Sequence, residues 1–151
     1  MNDSMIRLLF LAHCSATLYM TGVIWFVQVV HYPLFASIGV AEFSAYEQRH
    51  TALTTWVVAP PMLVELATAS LLFWFRPLGI LTVQVWIGLG LLAVIWGSTF
   101  LVQVPCHEVL SKRLDAAVLK RLIWTNWIRT AAWSLRALLV LWMIWSIWEA
   151  S

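Results

Sequence analysis

Four runs of apolar residues, roughly 8–31, 52–75, 80–104 and 122–148, limit what this chain can become. Each matches the ~20 residues that cross a bilayer core as a helix. Only 11% of the residues are charged, against about 25% in a soluble domain. With 62% apolar residues and a mean hydropathy of +0.86, there is too little polar surface to face water on all sides. The expectation is an all-α integral membrane protein, an up-down four-helix bundle forming one domain over residues 1–151. The first run exceeds the apolar core of a signal peptide and lacks a small-residue cleavage pattern, so it reads as a retained helix.

The turn Arg76-Pro77-Leu78-Gly79 is short and makes the second and third helices antiparallel neighbours. Residues 34–51 and 108–121 are longer connections with helical composition. They are expected as short interfacial helices in loops 1 and 3, or as extensions of the helices that follow. Five of the nine Lys and Arg lie there: Arg49, Lys112, Arg113, Lys120 and Arg121. The positive-inside rule then places loops 1 and 3 in the cytoplasm and both termini outside. A bacterial-type inner membrane is the expected setting. A net charge of +2 with no basic arm argues against nucleic acid as a partner. Cys14 and Cys106 belong to opposite ends of the bundle and are expected to stay unpaired.

A phrase occurs twice. Gln28-Val-Val-His31 closes the first run, and Gln103-Val-Pro-Cys-His107 closes the third. Nineteen residues beyond each His stand His50 and Asn126, followed four residues later by Thr54 and Thr130. This suggests two related helical hairpins, an internal repeat with a pseudo-twofold axis along the membrane normal.

An up-down bundle brings His31, His50, His107 and Asn126 to one membrane face. Glu47 precedes His50 by three residues, so carboxylate and imidazole share a helix face. His31, His50, His107 and Glu47 are therefore candidate ligands for a transition metal: Fe, Cu or Zn. Gln28, Gln103, Asn126 and Glu108 would support them from behind. Haem between His31 and His107 is a second form of the same expectation. Acid–base chemistry without metal, and histidines that merely meet water and head groups, are the competing readings. His13 lies 18 residues before His31, about 27 Å along a helix, and is expected at the opposite interface.

Glu65, Arg129 and Arg136 lie deeper, where an unpaired charge costs about 3 kcal/mol or more. Glu65 and Arg136 fall at similar depth and are predicted to pair. Arg129, Trp133 and Arg136 share a stripe with Asn126. Glu65 as a base, Asn126, and Arg129 as a holder of a substrate oxygen are the candidate catalytic groups. Gln28, Gln103, Trp133 and Arg136 are the candidate cofactor contacts. Pro60-Pro61 frees the carbonyls of Trp56 and Val57 beside Glu65. Eleven tryptophans suit interfacial belts, or an aromatic wall around a flat ligand.

No phosphate-binding loop, Gly-x-Gly-x-x-Gly, Cys-x-x-Cys or Gly-x-Ser-x-Gly is present, which excludes nucleotide-driven transport within the chain. Ser98-Thr99, Gln103-Val104-Pro105-Cys106-His107 and Asn126-Trp127-Ile128-Arg129-Thr130 resemble the pattern of the anthrone-oxygenase-like family of small four-helix membrane proteins. The resemblance covers the second half of the chain and implies a site at Pro105, His107, Asn126 and Arg129. The chain has His107 where that family carries Asn, which favours a metal. The leading expectation is a membrane-embedded oxidoreductase, oxygenase-like, acting on a lipophilic aromatic or quinone-like small molecule. The alternative is a binding or transport module, or an accessory subunit, without catalysis. A homo-oligomer with a polar path past Glu65 and Arg136 would favour the carrier.

Overall fold

The computed structural model describes residues 1–150. They form an all-α four-helix bundle: α1 (Asp3–Ser37), α2 (Val40–Leu72), α3 (Thr82–Leu110) and α4 (Ala116–Glu149). All four helices are long and apolar enough to cross a membrane, the architecture of a multi-pass membrane protein. At 1.5 Å per residue they measure about 44–53 Å, well beyond a hydrocarbon core of about 30 Å. Their ends therefore project past it. No separate interfacial helices form in loops 1 and 3. Residues 40–51 and 116–121 are the first turns of α2 and α4, because no Gly or Pro interrupts them. The connections shrink to Ile38-Gly39 and Ser111–Asp115, and Asp115 caps α4 by accepting from the Ala117 and Val118 amides.

The turn between α2 and α3 folds back on the end of α4. Gly79 has φ +91 there, and a Cβ would strike the Ser146 carbonyl. Only glycine satisfies both constraints.

The core has three layers. Phe10, Cys14, Leu72, Val85 and Val140 pack near the termini. Met20, Ile24, Met62, Ile95 and Trp133 fill the middle. Tyr32, Phe35, Phe43, Leu110 and Leu122 close the far end. The two cysteines lie in different end layers and are both free.

α1 and α3 each widen into one π turn, Val27–His31 and Thr99–Gln103. The Tyr32 amide donates to the Val27 carbonyl, and the Val104 amide to the Thr99 carbonyl. In each helix a proline follows one residue later, Pro33 or Pro105. Proline lacks an N–H and its ring crowds the carbonyl four residues back, and a wider turn relieves both. Between Pro33 and Pro105 the offset is 72 residues. The Gln pair is offset by 75 (28 to 103) and the His pair by 76 (31 to 107). The twice-written phrase and the backbone feature are thus out of register by three or four residues.

Candidate functional site

The first turns of α2, the last turns of α1 and α3 and one stripe of α4 meet at one end of the bundle. His107 Nδ1 donates to the fully buried Glu47 carboxylate in a short hydrogen bond. The other nitrogen, Nε2, lies 3.2 Å from the Tyr32 hydroxyl. His50 Nδ1 lies 2.9 Å from His31 Nε2 and 3.1 Å from Thr54 Oγ1. The His50 ring centroid stands 4.5 Å from that of His31 and 5.7 Å from that of His107.

One ligand atom each from Glu47, His50 and His107 fall within 4.8 Å of one another. Glu47 Oε2 is buried without a hydrogen-bond partner. A buried carboxylate oxygen left bare is costly, and a cation between the three residues would satisfy it. His31 is not in this trio. It stands behind His50, holding the ring through Nδ1, as Tyr32 holds His107 through Nε2. Phe35 packs edge-on against both His31 and His50, at 5.0 and 5.2 Å.

The polar network continues into α1 and α4. The Arg129 guanidinium lies beside the Tyr32 hydroxyl and donates, at 3.2 Å, to Asn126 Oδ1. Asn126 Nδ2 donates to Gln28 Oε1 at 2.8 Å, and Gln28 Nε2 donates to the Ile123 carbonyl. Gln28 and Asn126 thus orient Arg129 from behind. Below, Arg129 stacks on Trp133, 5.2 Å from the ring.

A cavity of about 460 Å³ opens beneath the trio, between α2 and α3. Both π turns border it through Val27, Thr99 and Gln103. His50 and His107 reach its polar end, and Met20, Val58, Met62 and Trp96 line its apolar depth. Arg129 reaches it from α4. Gln103 Nε2 donates to Thr125 Oγ1 at 3.0 Å, while its Oε1 is buried and unpartnered.

Glu65, Trp133 and Arg136 form a second cluster. Glu65 accepts from Thr17 Oγ1 at 2.7 Å, Trp133 Nε1 at 3.0 Å and Arg136 Nε at 2.8 Å. Arg136 also donates to the Gly88 carbonyl. The expected Glu65–Arg136 pair is therefore formed, and it joins α1, α2, α3 and α4. Glu65, Trp133 and Arg136 do not border the cavity, so the geometry makes them a clasp and leaves them without access to a ligand there. His13 faces the bundle interior: it is 3% exposed and bonded to Thr68 at 3.0 Å. It belongs to the same polar seam, because Thr68 lies one turn from Glu65.

Of the eleven tryptophans, nine are exposed on the outer surface, Trp133 is buried and Trp96 alone borders the cavity. The exposed nine face outward, and the aromatic part of the cavity lining comes from Trp96 stacked on Phe100 and from Tyr32. Tyr32 is the site residue that sequence reasoning missed. Its signal was its place between His31 and Pro33, but a tyrosine in an apolar helix reads as core.

No family model, curated protein or solved structure matches this chain.

Proposed function

We propose that the chain is a membrane-embedded, metal-dependent oxidoreductase acting on a lipophilic, aromatic or quinone-like small molecule. One observation carries the reading: two imidazoles at the polar end of a largely apolar cavity lie within 4.8 Å of each other and of a bare buried carboxylate behind them. Two histidines and one carboxylate with open positions are the ligand set of non-haem iron(II) oxygenases. Iron is therefore the expected ion, and zinc and copper are the alternatives to be assayed beside it. Such an ion supplies dioxygen activation when bound. Tyr32 and His31 fix the orientation of His107 and His50, as ligand histidines are usually fixed by a second hydrogen bond. Arg129 holds a substrate oxygen, and the cavity excludes water.

The haem form fits less well. His50 contacts both His31 and His107 and occupies the space a porphyrin between that pair would need. A metal-free acid–base site is the second reading. It is favoured by the Glu47–His107–Tyr32 chain, which is already bonded end to end.

Elemental analysis and an absorption spectrum of protein purified from native membrane decide between these. A stoichiometric transition ion is expected, lost in His107→Ala and Glu47→Gln while circular dichroism keeps its helical signal. Substoichiometric metal after reconstitution with iron(II), zinc and copper rejects the metalloenzyme and leaves the acid–base site.

A further inference from the structure

Four side chains that carry formal charge are buried: Glu47, Glu65, Arg129 and Arg136. Glu65 pairs with Arg136 and Glu47 with His107. Arg129, 8% exposed, faces no carboxylate. Its neighbours are an amide, a phenol and an indole face, and its Nε has no partner. A guanidinium removed from water without a countercharge is costly, and α4 carries it at membrane depth. Trp96 Nε1, a second donor bordering the same cavity, is also buried without an acceptor. Glu108 lies on the cavity's polar rim and pairs with neither.

We propose that the cavity binds a lipophilic organic monoanion, a carboxylate or a phenolate, with its charged oxygen on Arg129 and its apolar body between α2 and α3. The anion gives Arg129 a partner of opposite charge in direct contact, and its oxygen accepts from a guanidinium whose Nε otherwise has no acceptor. Charge-assisted hydrogen bonds of this kind are about twice as strong as neutral ones. The apolar lining from Met20, Val58 and Met62 takes the tail or ring. Exposed Thr55 and Phe100 line the cavity, and the anion would enter past them. The inference rests on the proposed function for what happens to the bound anion, and on Arg129 alone for its charge.

The test uses purified protein in a zwitterionic detergent. The probe is cis-parinarate, a polyene fatty acid that receives excitation energy from tryptophan, compared with its methyl ester. Saturable binding of the acid is expected, with the ester weaker by about tenfold or more. Dodecanoate should displace the probe and dodecanol should not. Competition with pentachlorophenolate separates the two sources of the anion, a fatty acid or a phenol. Arg129→Gln should bring acid and ester to equal affinity. Equal affinity in the unmodified protein overturns the proposal without any variant, and so does an acid preference that survives Arg129→Gln. Treatment with a chelator separates this inference from the previous one. A preference that persists without metal supports the Arg129 site. One that disappears with the metal places the oxygen on the ion and overturns it.

Discussion

Tyr32 braces the histidine cluster through His107, and under the proposed function it braces a metal site. Its ring belongs to the far-end core layer, and its hydroxyl touches His107 and Arg129. The ring therefore supports the fold while the oxygen serves the site. Tyr32→Phe keeps the ring and removes the oxygen. Loss of a group that holds a ligand histidine typically costs 10–100-fold in metal affinity. The expected outcome is an unchanged helical signal and melting temperature with metal affinity weaker by about that factor, read by titration against a chelator of known affinity. Unchanged affinity would mean that His107 needs no such partner. The grouping of Glu47, His50 and His107 was legible in the sequence because polar side chains are rare enough in this chain to stand out. Tyr32 was not, since a phenol is apolar enough to pass for packing. His31 was legible as a member of the cluster but not as the partner behind His50, a distinction that depends on ring orientation.

Among the elements, the same helices carry two separate kinds of polar contact. Near the middle, Glu65 gathers Thr17, Trp133 and Arg136, and Arg136 reaches the α3 backbone at Gly88. A Cβ at Gly88 would meet only ordinary contacts, 3.4 Å from Leu139 and 3.7 Å from Arg136 Nη1, so the approach does not depend on glycine. Breaking one side of a buried pair leaves the other uncompensated and costs about 3–5 kcal/mol. Glu65→Gln is therefore expected to lower thermal stability sharply. The double change Glu65→Gln with Arg136→Met should recover much of the loss. Metal content at moderate temperature should hold in both, because neither residue borders the cavity. If Glu65→Gln stripped the metal from a folded protein, the clasp and the site would be one unit. The four spans were legible because length and hydropathy dictate them. The extents of the helices were not, because the polar residues of 40–51 and 116–121 look like loop in a hydropathy profile and like helix only in the absence of breakers. The π turns follow Pro33 and Pro105, a local steric signal. The likeness of the Gln and His phrases drew attention to a different register.

In the whole molecule, charge and polarity separate along the bundle axis. The trio, the cavity's polar end and loops 1 and 3 share one end. The termini and the Arg76–Gly79 turn share the other, as the contact of Gly79 with Ser146 and Ile147 requires. Arg49, Lys112, Arg113, Lys120 and Arg121 all lie toward the site, against Arg7 and Arg76 at the far end. Arg129 and Arg136 lie within α4 and drop out of the comparison. Lys and Arg near helix ends set orientation, and Asp and Glu contribute little, so Glu42, Glu108 and Asp115 do not cancel the bias. The expected orientation puts the Glu47, His50 and His107 trio at the cytoplasmic surface, where reducing conditions would keep the proposed iron as iron(II). Paired reporters at the C-terminus, next to Glu149, test this directly in a bacterial host. Alkaline phosphatase fused there should be active and green fluorescent protein dark. The opposite pattern would place loops 1 and 3 outside. The five basic side chains would then have to serve the site end itself, as an attraction for anions approaching the rim of the cavity, and that attraction would weaken with added salt.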